Sequence, residues 1–156
     1  MNMSLTDAKL TRRRLAHPQV RRVILICPDL HEVGGIGMVS RLAFNALQSF
    51  NKLNGCRGEV WSYGASKDDA ATFDGSDWTI RYAQGRKATA ALWGLKASLS
   101  DARHTLVVAM HLHLAPLALP LVLRGARLAI FLHGIEAWES LSGLRQIYIV
   151  IASFLV

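Results

Sequence analysis

Val23-Ile24-Leu25-Ile26-Cys27, followed by Glu32-Val33-Gly34-Gly35-Ile36-Gly37-Met38-Val39-Ser40, decides how this chain is read. The first run is apolar without alternation. That pattern suits a strand, taken as Val20 to Cys27, buried on both faces of a parallel sheet. Pro28 cannot donate to a ladder and ends it. From Met38 to Phe50 apolar residues recur at helical spacing, with Val39, Leu42, Ala43, Ala46, Leu47 and Phe50 predicted on one face. The order is strand, glycine turn, helix. The first N–H groups of a helix lack intrahelical partners, and the dipole behind them favours a phosphate or diphosphate. Glycines at such a turn let the ligand approach the backbone without a Cβ in the way.

Downstream the alternation repeats. Glu59 to Tyr63 reads as a second strand, Trp78 to Gln84 as a third, His104 to Met110 as a fourth and Ala126 to Leu132 as a fifth. Arg86 to Leu99 reads as a helix with Ala88, Ala91, Leu92, Leu95 and Leu99 inward. Leu114 to Leu123 reads as another, with Pro116 in its first turn and Pro120 bending it. Strands alternating with helices predict an α/β fold: a single Rossmann-like domain with a mostly parallel, doubly wound sheet and helices on both faces. Residues 1–20 read as a basic lead-in, 21–145 as the domain and 146–156 as an apolar tail.

At 156 residues the chain suits one domain, and 51% hydrophobic against 19% charged residues excludes a disordered chain. The formal charge of +7 favours anionic partners. Arg12, Arg13 and Arg14, with Arg21 and Arg22, suit contact with nucleic acid or with anionic lipid, the latter at the inner membrane face. No interleaving of aromatic and basic residues marks a nucleic-acid reader. Cys27 and Cys56 make no disulfide framework, and the N-terminus has no secretory pattern, which together predict a cytoplasmic protein. Thr105 to Leu123 carries no formal charge over 19 residues, yet two histidines and two prolines inside it favour strand, loop and helix over a membrane span.

In an open parallel sheet, ligands bind beyond the carboxyl ends of the strands, where the strand order reverses. With the order 3-2-1-4-5, the glycine turn, His111 with His113, and His133 with Glu136 all fall on that rim. The two histidines two residues apart can face the same side. With His133 and Glu136 they have the donor chemistry for zinc, although no cysteine supports a metal site, and none is predicted. A strand-end histidine also serves simply as a ring bonded to backbone. His133-Gly134-x-Glu136 offers a titratable ring, a sharp turn and a carboxylate able to orient that ring or clamp a sugar. Trp138 can stack on a sugar or be half-buried. Gly35-x-Gly37-x-x-Ser40 lacks the third glycine of a dinucleotide fingerprint, and no Gly-Lys-Ser/Thr is present for a P-loop.

These three features in this order resemble the N-terminal, acceptor-side domain of family-4-type glycosyltransferases of the GT-B fold. The likeness rests on Gly34-Gly35-Ile36-Gly37 opening a helix, on Thr105–Met110 followed by His111-Leu112-His113, and on Ile130-Phe131-Leu132-His133-Gly134-x-Glu136-x-Trp138. It covers roughly residues 22–145. The resemblance implies a retaining transferase that moves a sugar from a nucleotide-diphosphate donor to a glycan or lipid-linked acceptor, with no other cofactor. Gly35, Ile36 and Gly37 match the turn near the donor diphosphate. His133 matches the catalytic strand-end histidine facing the transferred sugar. Glu136, His111, His113 and Trp138 match acceptor and sugar positions. The family's second, donor-binding domain with its Glu-x7-Glu pair has no counterpart here, so the expectation is a fragment or one half of a split enzyme, completed by a separate domain or chain. The alternatives are a non-catalytic nucleotide- or phosphate-binding module, or partner subunit, and a half domain of the nicotinamide-binding type.

Overall fold

The computed structural model describes residues 20–64 and 78–132. Five strands, β1 (Arg22–Cys27), β2 (Arg57–Ser62), β3 (Trp78–Tyr82), β4 (Thr105–Ala109) and β5 (Arg127–Ile130), form one sheet in the order β3-β2-β1-β4-β5. Every pairing is parallel, so the fold is α/β and Rossmann-like. Among the described residues the α-helices are α1 (Gly35–Asn54), α2 (Lys87–Ser98) and α3 (Leu119–Val122). A 3-10 helix, Leu112–Ala118, leads into α3. The uncharged run from Thr105 to Leu123 is therefore strand, 3-10 helix and short α-helix. No helix among the described residues is long and apolar enough to cross a membrane.

β1 is the centre. Val23 through Cys27 are all fully buried, because side chains that alternate across a strand find a helix layer on either side. Val23, Leu25 and Cys27 meet Phe44 of α1, with Val60, Trp78 and Val108. Ile24 and Ile26 meet Ala97 of α2, with Leu114, Ala118 and Leu121. Each such Val, Leu or Ile contributes about 1.5–3 kcal/mol on burial. Pairing with β2 on one edge and β4 on the other satisfies the strand's backbone.

Two predicted helix faces need correction. On α1, the buried positions are Gly37, Ser40, Phe44 and Asn51, with Val39, Ala43 and Leu47 half-buried. Leu42, Ala46 and Phe50 face outward. Phe44 sets the seating: its ring meets Trp78 edge-on at 5.0 Å, over Gly58, where a Cβ would run into the indole. On α2, Ala88, Ala91, Leu92, Leu95 and Leu99 are all exposed, and Ala90, Gly94, Ala97 and Ser98 are buried. The physical reason is close approach. At Gly94 a Cβ would strike the Leu117 carbonyl oxygen, so only small residues fit between α2 and the 3-10 segment. Apolar periodicity selects the leucines, but the packing distance selects the small face.

A partly buried polar cluster braces the sheet on the α2 side. Glu59 accepts from Arg22 Nε at 3.0 Å and from Trp61 Nε1 at 3.2 Å, and Arg81 Nε lies 3.6 Å away. Arg22 is thus 17% exposed in its side chain and committed inward, which removes it from the predicted lipid-contacting set. Arg21 stays at 68% exposure.

Burial, and secondarily the nearby Asp29 carboxylate, pushes the Cys27 thiol up to about 12. Cys27 should therefore resist iodoacetamide at pH 8 in the folded protein, while half-buried Cys56 reacts first, as peptide mapping would reveal. Stability should fall as pH rises from about 9 towards 12, since over that window only the unfolded chain releases the Cys27 proton. Equal labelling of both cysteines under native conditions would contradict the burial of β1.

Candidate functional site

The strand order reverses between β1 and β4, and the segments leaving both strands border that point. Met110 N–H donates to Ile26 O at 2.8 Å, so pairing continues to the very rim. Beyond it, residues 28–34 leave β1 and His111 to His113 leave β4.

The β1–α1 segment is held by its own polar groups. Asp29 Oδ1 accepts from His31 N–H at 2.8 Å, closing an Asx turn. Arg41 Nη1 donates to the carbonyls of Leu30 at 2.9 Å and Glu32 at 3.1 Å, tying the loop to α1. The helix opens earlier than periodicity predicts, at Gly35 rather than Met38, because glycines leave no apolar pattern to read. Gly34 precedes it at φ +155°, a conformation that essentially only glycine adopts.

The N-terminus of α1 has no side-chain cap and no acidic residue in its first turn. The first intrahelical bond runs from Met38 N–H to Gly34 O at 2.9 Å. The N–H groups of Gly35, Ile36 and Gly37 therefore precede the ladder. The two candidate glycines differ in purpose. Nothing lies within 4 Å of where a Cβ on Gly35 would stand, so its face is open to a ligand. A Cβ on Gly37 would collide with the Glu32 carbonyl oxygen, so Gly37 is fixed by packing of the loop on the helix.

His111 and His113 do come together. Their rings stack with centroids 4.8 Å apart and planes 20° from parallel. His111 Nδ1 accepts from His113 backbone N–H at 3.2 Å and lies 3.1 Å from His113 Nδ1. An acceptor Nδ1 places the His111 proton on Nε2, so this ring caps the 3-10 helix as well as lining the rim. His133, Glu136 and Trp138 lie outside the described residues. Among the described residues no group of three or more His, Cys, Asp or Glu side chains gathers as a metal site.

Sequence reasoning missed Arg41 and Asp29. The Asp-x-His turn has a readable signal in Asp29, whose carboxylate can bond a backbone N–H two residues on. Arg41 has none, because its partners are backbone carbonyls of a loop. A cavity of about 620 Å³ follows β3 to its carboxyl end, lined by Trp78, Ile80, Tyr82, Gln84 and Arg86. It lies two strands away from the reversal point, and the β1–α1 segment reaches its edge through His31, whose ring stacks on that of Tyr82 with centroids 6.3 Å apart. The carboxyl end of β2 is Ser62, followed by Tyr63 and Gly64. No protein-family model, curated protein or solved structure matches the chain.

The N–H groups of Gly35 and Ile36 have the chemistry to hold an anion, with a polar histidine pair just beyond the neighbouring strand. Gly37→Ala should destabilise the fold by about 2–3 kcal/mol, because the helix must shift away from Glu32. Gly35→Ala should change stability by no more than about 0.5 kcal/mol. Urea melts of the two variants check this contrast, and an equal loss in both would remove the distinction between packing glycine and open glycine.

Proposed function

We propose that this chain is the acceptor-side domain of a retaining, GT-B-type glycosyltransferase, moving a sugar from a nucleotide-diphosphate donor and completed by a donor-binding domain or chain. One observation carries the reading. An uncapped helix N-terminus with an open glycine lies at the reversal point of a 3-2-1-4-5 parallel sheet. Charge develops on the diphosphate as it leaves the sugar, and preorganised N–H donors with the helix dipole stabilise it. Gly35 and Ile36 would meet the diphosphate, with Gly37 holding them in place. The sequence resemblance supplies the remaining roles: His133 facing the transferred sugar, and Glu136, His111, His113 and Trp138 on the acceptor side. A cytoplasmic location goes with this reading, and both cysteines are free.

A non-catalytic phosphate-binding module is the second reading. It is favoured by His111, whose Nδ1 serves as a helix cap and not as a free base. The nicotinamide-type alternative loses support from Ser62-Tyr63-Gly64, because the chain carries no acidic residue of its own at the end of β2.

Calorimetric titration of the chain with nucleoside diphosphates and with pyrophosphate tests the phosphate role. Gly35→Val should weaken binding roughly tenfold, about 1.4 kcal/mol, with melting unchanged. Unchanged affinity would remove the glycine turn from the site. In a chain joined to a donor-binding domain, His133→Ala should lower transfer at least about 100-fold while leaving stability nearly intact. Binding without transfer in that joined chain favours the second reading.

A further inference from the structure

In a parallel sheet with helical crossovers, all helices end at the pole where the strands begin. At this amino-terminal pole, α1, α2 and α3 each finish beside a highly exposed leucine. Leu53 is 86% exposed, Leu99 73% and Leu123 77%. Apolar residues at helix ends ordinarily fold back on the last turn. These three do not. Among the large apolar residues described, the only other side chain exposed by more than 60% is Val33, at the opposite rim.

Cations surround the leucines. Arg21 enters β1, Lys52 neighbours Leu53, Arg57 opens β2, Arg103 precedes β4 and Arg124 neighbours Leu123, and all five are exposed. A depression of about 610 Å³ opens at this pole, lined by Arg21, Arg22, Gly55, Arg57, Glu59, Ser100 and Asp101. The described residues hold four carboxylates, of which Asp29 and Glu32 lie on the far rim. Glu59 is turned inward on Arg22. Of these four, Asp101 alone is exposed at this pole. It is engaged by His104 at 2.6 Å and Arg21 at 3.8 Å, and the His104 hydrogen bond holds its carboxyl below the usual range. Helix dipoles account for a cation such as Lys52 in a last turn. They do not account for Arg21, Arg57 and Arg103, which stand on strand starts and a 3-10 turn.

From this juxtaposition we infer that the amino-terminal pole is a docking surface for an anionic lipid bilayer, with Leu53, Leu99 and Leu123 entering the interface and the five cations meeting headgroups. Leucines interleaved with cations suit a lipid interface. A nucleic acid would call for exposed rings to stack on, and Phe50, the ring one turn before Leu53, is only 37% exposed. With the bilayer at this pole, the carboxyl rim faces water. If the glycosyl-transfer reading holds, the acceptor is then a glycan in the aqueous phase and not a lipid buried in the same bilayer.

Co-sedimentation of the full chain with vesicles tests the surface without any nucleotide. Phosphatidylcholine vesicles containing roughly three-tenths phosphatidylserine should bind the chain at about 0.1 M salt, and pure phosphatidylcholine should not. The combined variant Arg57→Glu/Arg103→Glu, and separately Leu53→Ser/Leu99→Ser/Leu123→Ser, should each weaken binding at least about tenfold. Both should melt like the parent, since all five positions are exposed. Gly35→Val should bind vesicles normally, which separates this surface from the rim. Equal binding to neutral vesicles, or full binding by the folded triple-serine variant, would overturn the inference. Tighter binding to single-stranded RNA than to anionic vesicles, insensitive to the serine changes, would overturn it in favour of a nucleic-acid surface.

Discussion

Everything in this fold depends on one strand being buried on both faces and paired on both edges. β1 carries five consecutive fully buried side chains, from Val23 to Cys27. A strand so apolar cannot tolerate water on either side, so it requires a helix layer above and below. Its backbone requires a ladder on both edges, which β2 and β4 provide. A chain that adds a strand first to one edge and later to the other must reverse direction at β1. The reversal leaves the β1 and β4 exits side by side, and from these exits come the glycine turn on one strand and the histidine pair on the other.

The same constraint polarises the molecule. Parallel strands put every strand exit on one rim and every helix end on the opposite pole. The exit rim gathers backbone donors and polar turns: the open N–H groups of α1, the Asp29 turn and the stacked His111 and His113 rings. The opposite pole gathers exposed leucines and arginines. Two surfaces with different chemistry therefore follow from one topology, and neither interferes with the other.

Between the poles, two kinds of contact set the layer spacing. On one face the bulk of Phe44 and Trp78 fills the space beneath α1, with Gly58 giving way to the indole. On the other face Gly94 and its alanine neighbours let α2 close onto the 3-10 segment. Large residues on one side and small ones on the other are alternative ways to reach native packing density. The Arg22–Glu59–Arg81 cluster stays partly covered because each charge has a partner and Glu59 also accepts from Trp61.

By itself the sequence determined the α/β class, strand positions to within a few residues, the strand–glycine–helix unit and the spacing that lets His111 and His113 share a side, while the order 3-2-1-4-5 was only the usual one for such a chain until the sheet itself decided it. What the sequence determined are properties of local pattern. Unalternating apolar runs, prolines and glycine turns act over a handful of residues. Only the tertiary structure decided which faces of α1 and α2 turn inward, because a helix seats by the distance to its neighbour, and Gly94 and Phe44 set that distance. It alone separated Gly35 from Gly37, since what excludes a Cβ at Gly37 is the carbonyl of Glu32, a loop residue whose path cannot be read from composition. It also turned Arg22 inward on Glu59, a partner 37 residues away that strand register brings alongside. Contacts of that kind are made by the fold, and no local pattern encodes them.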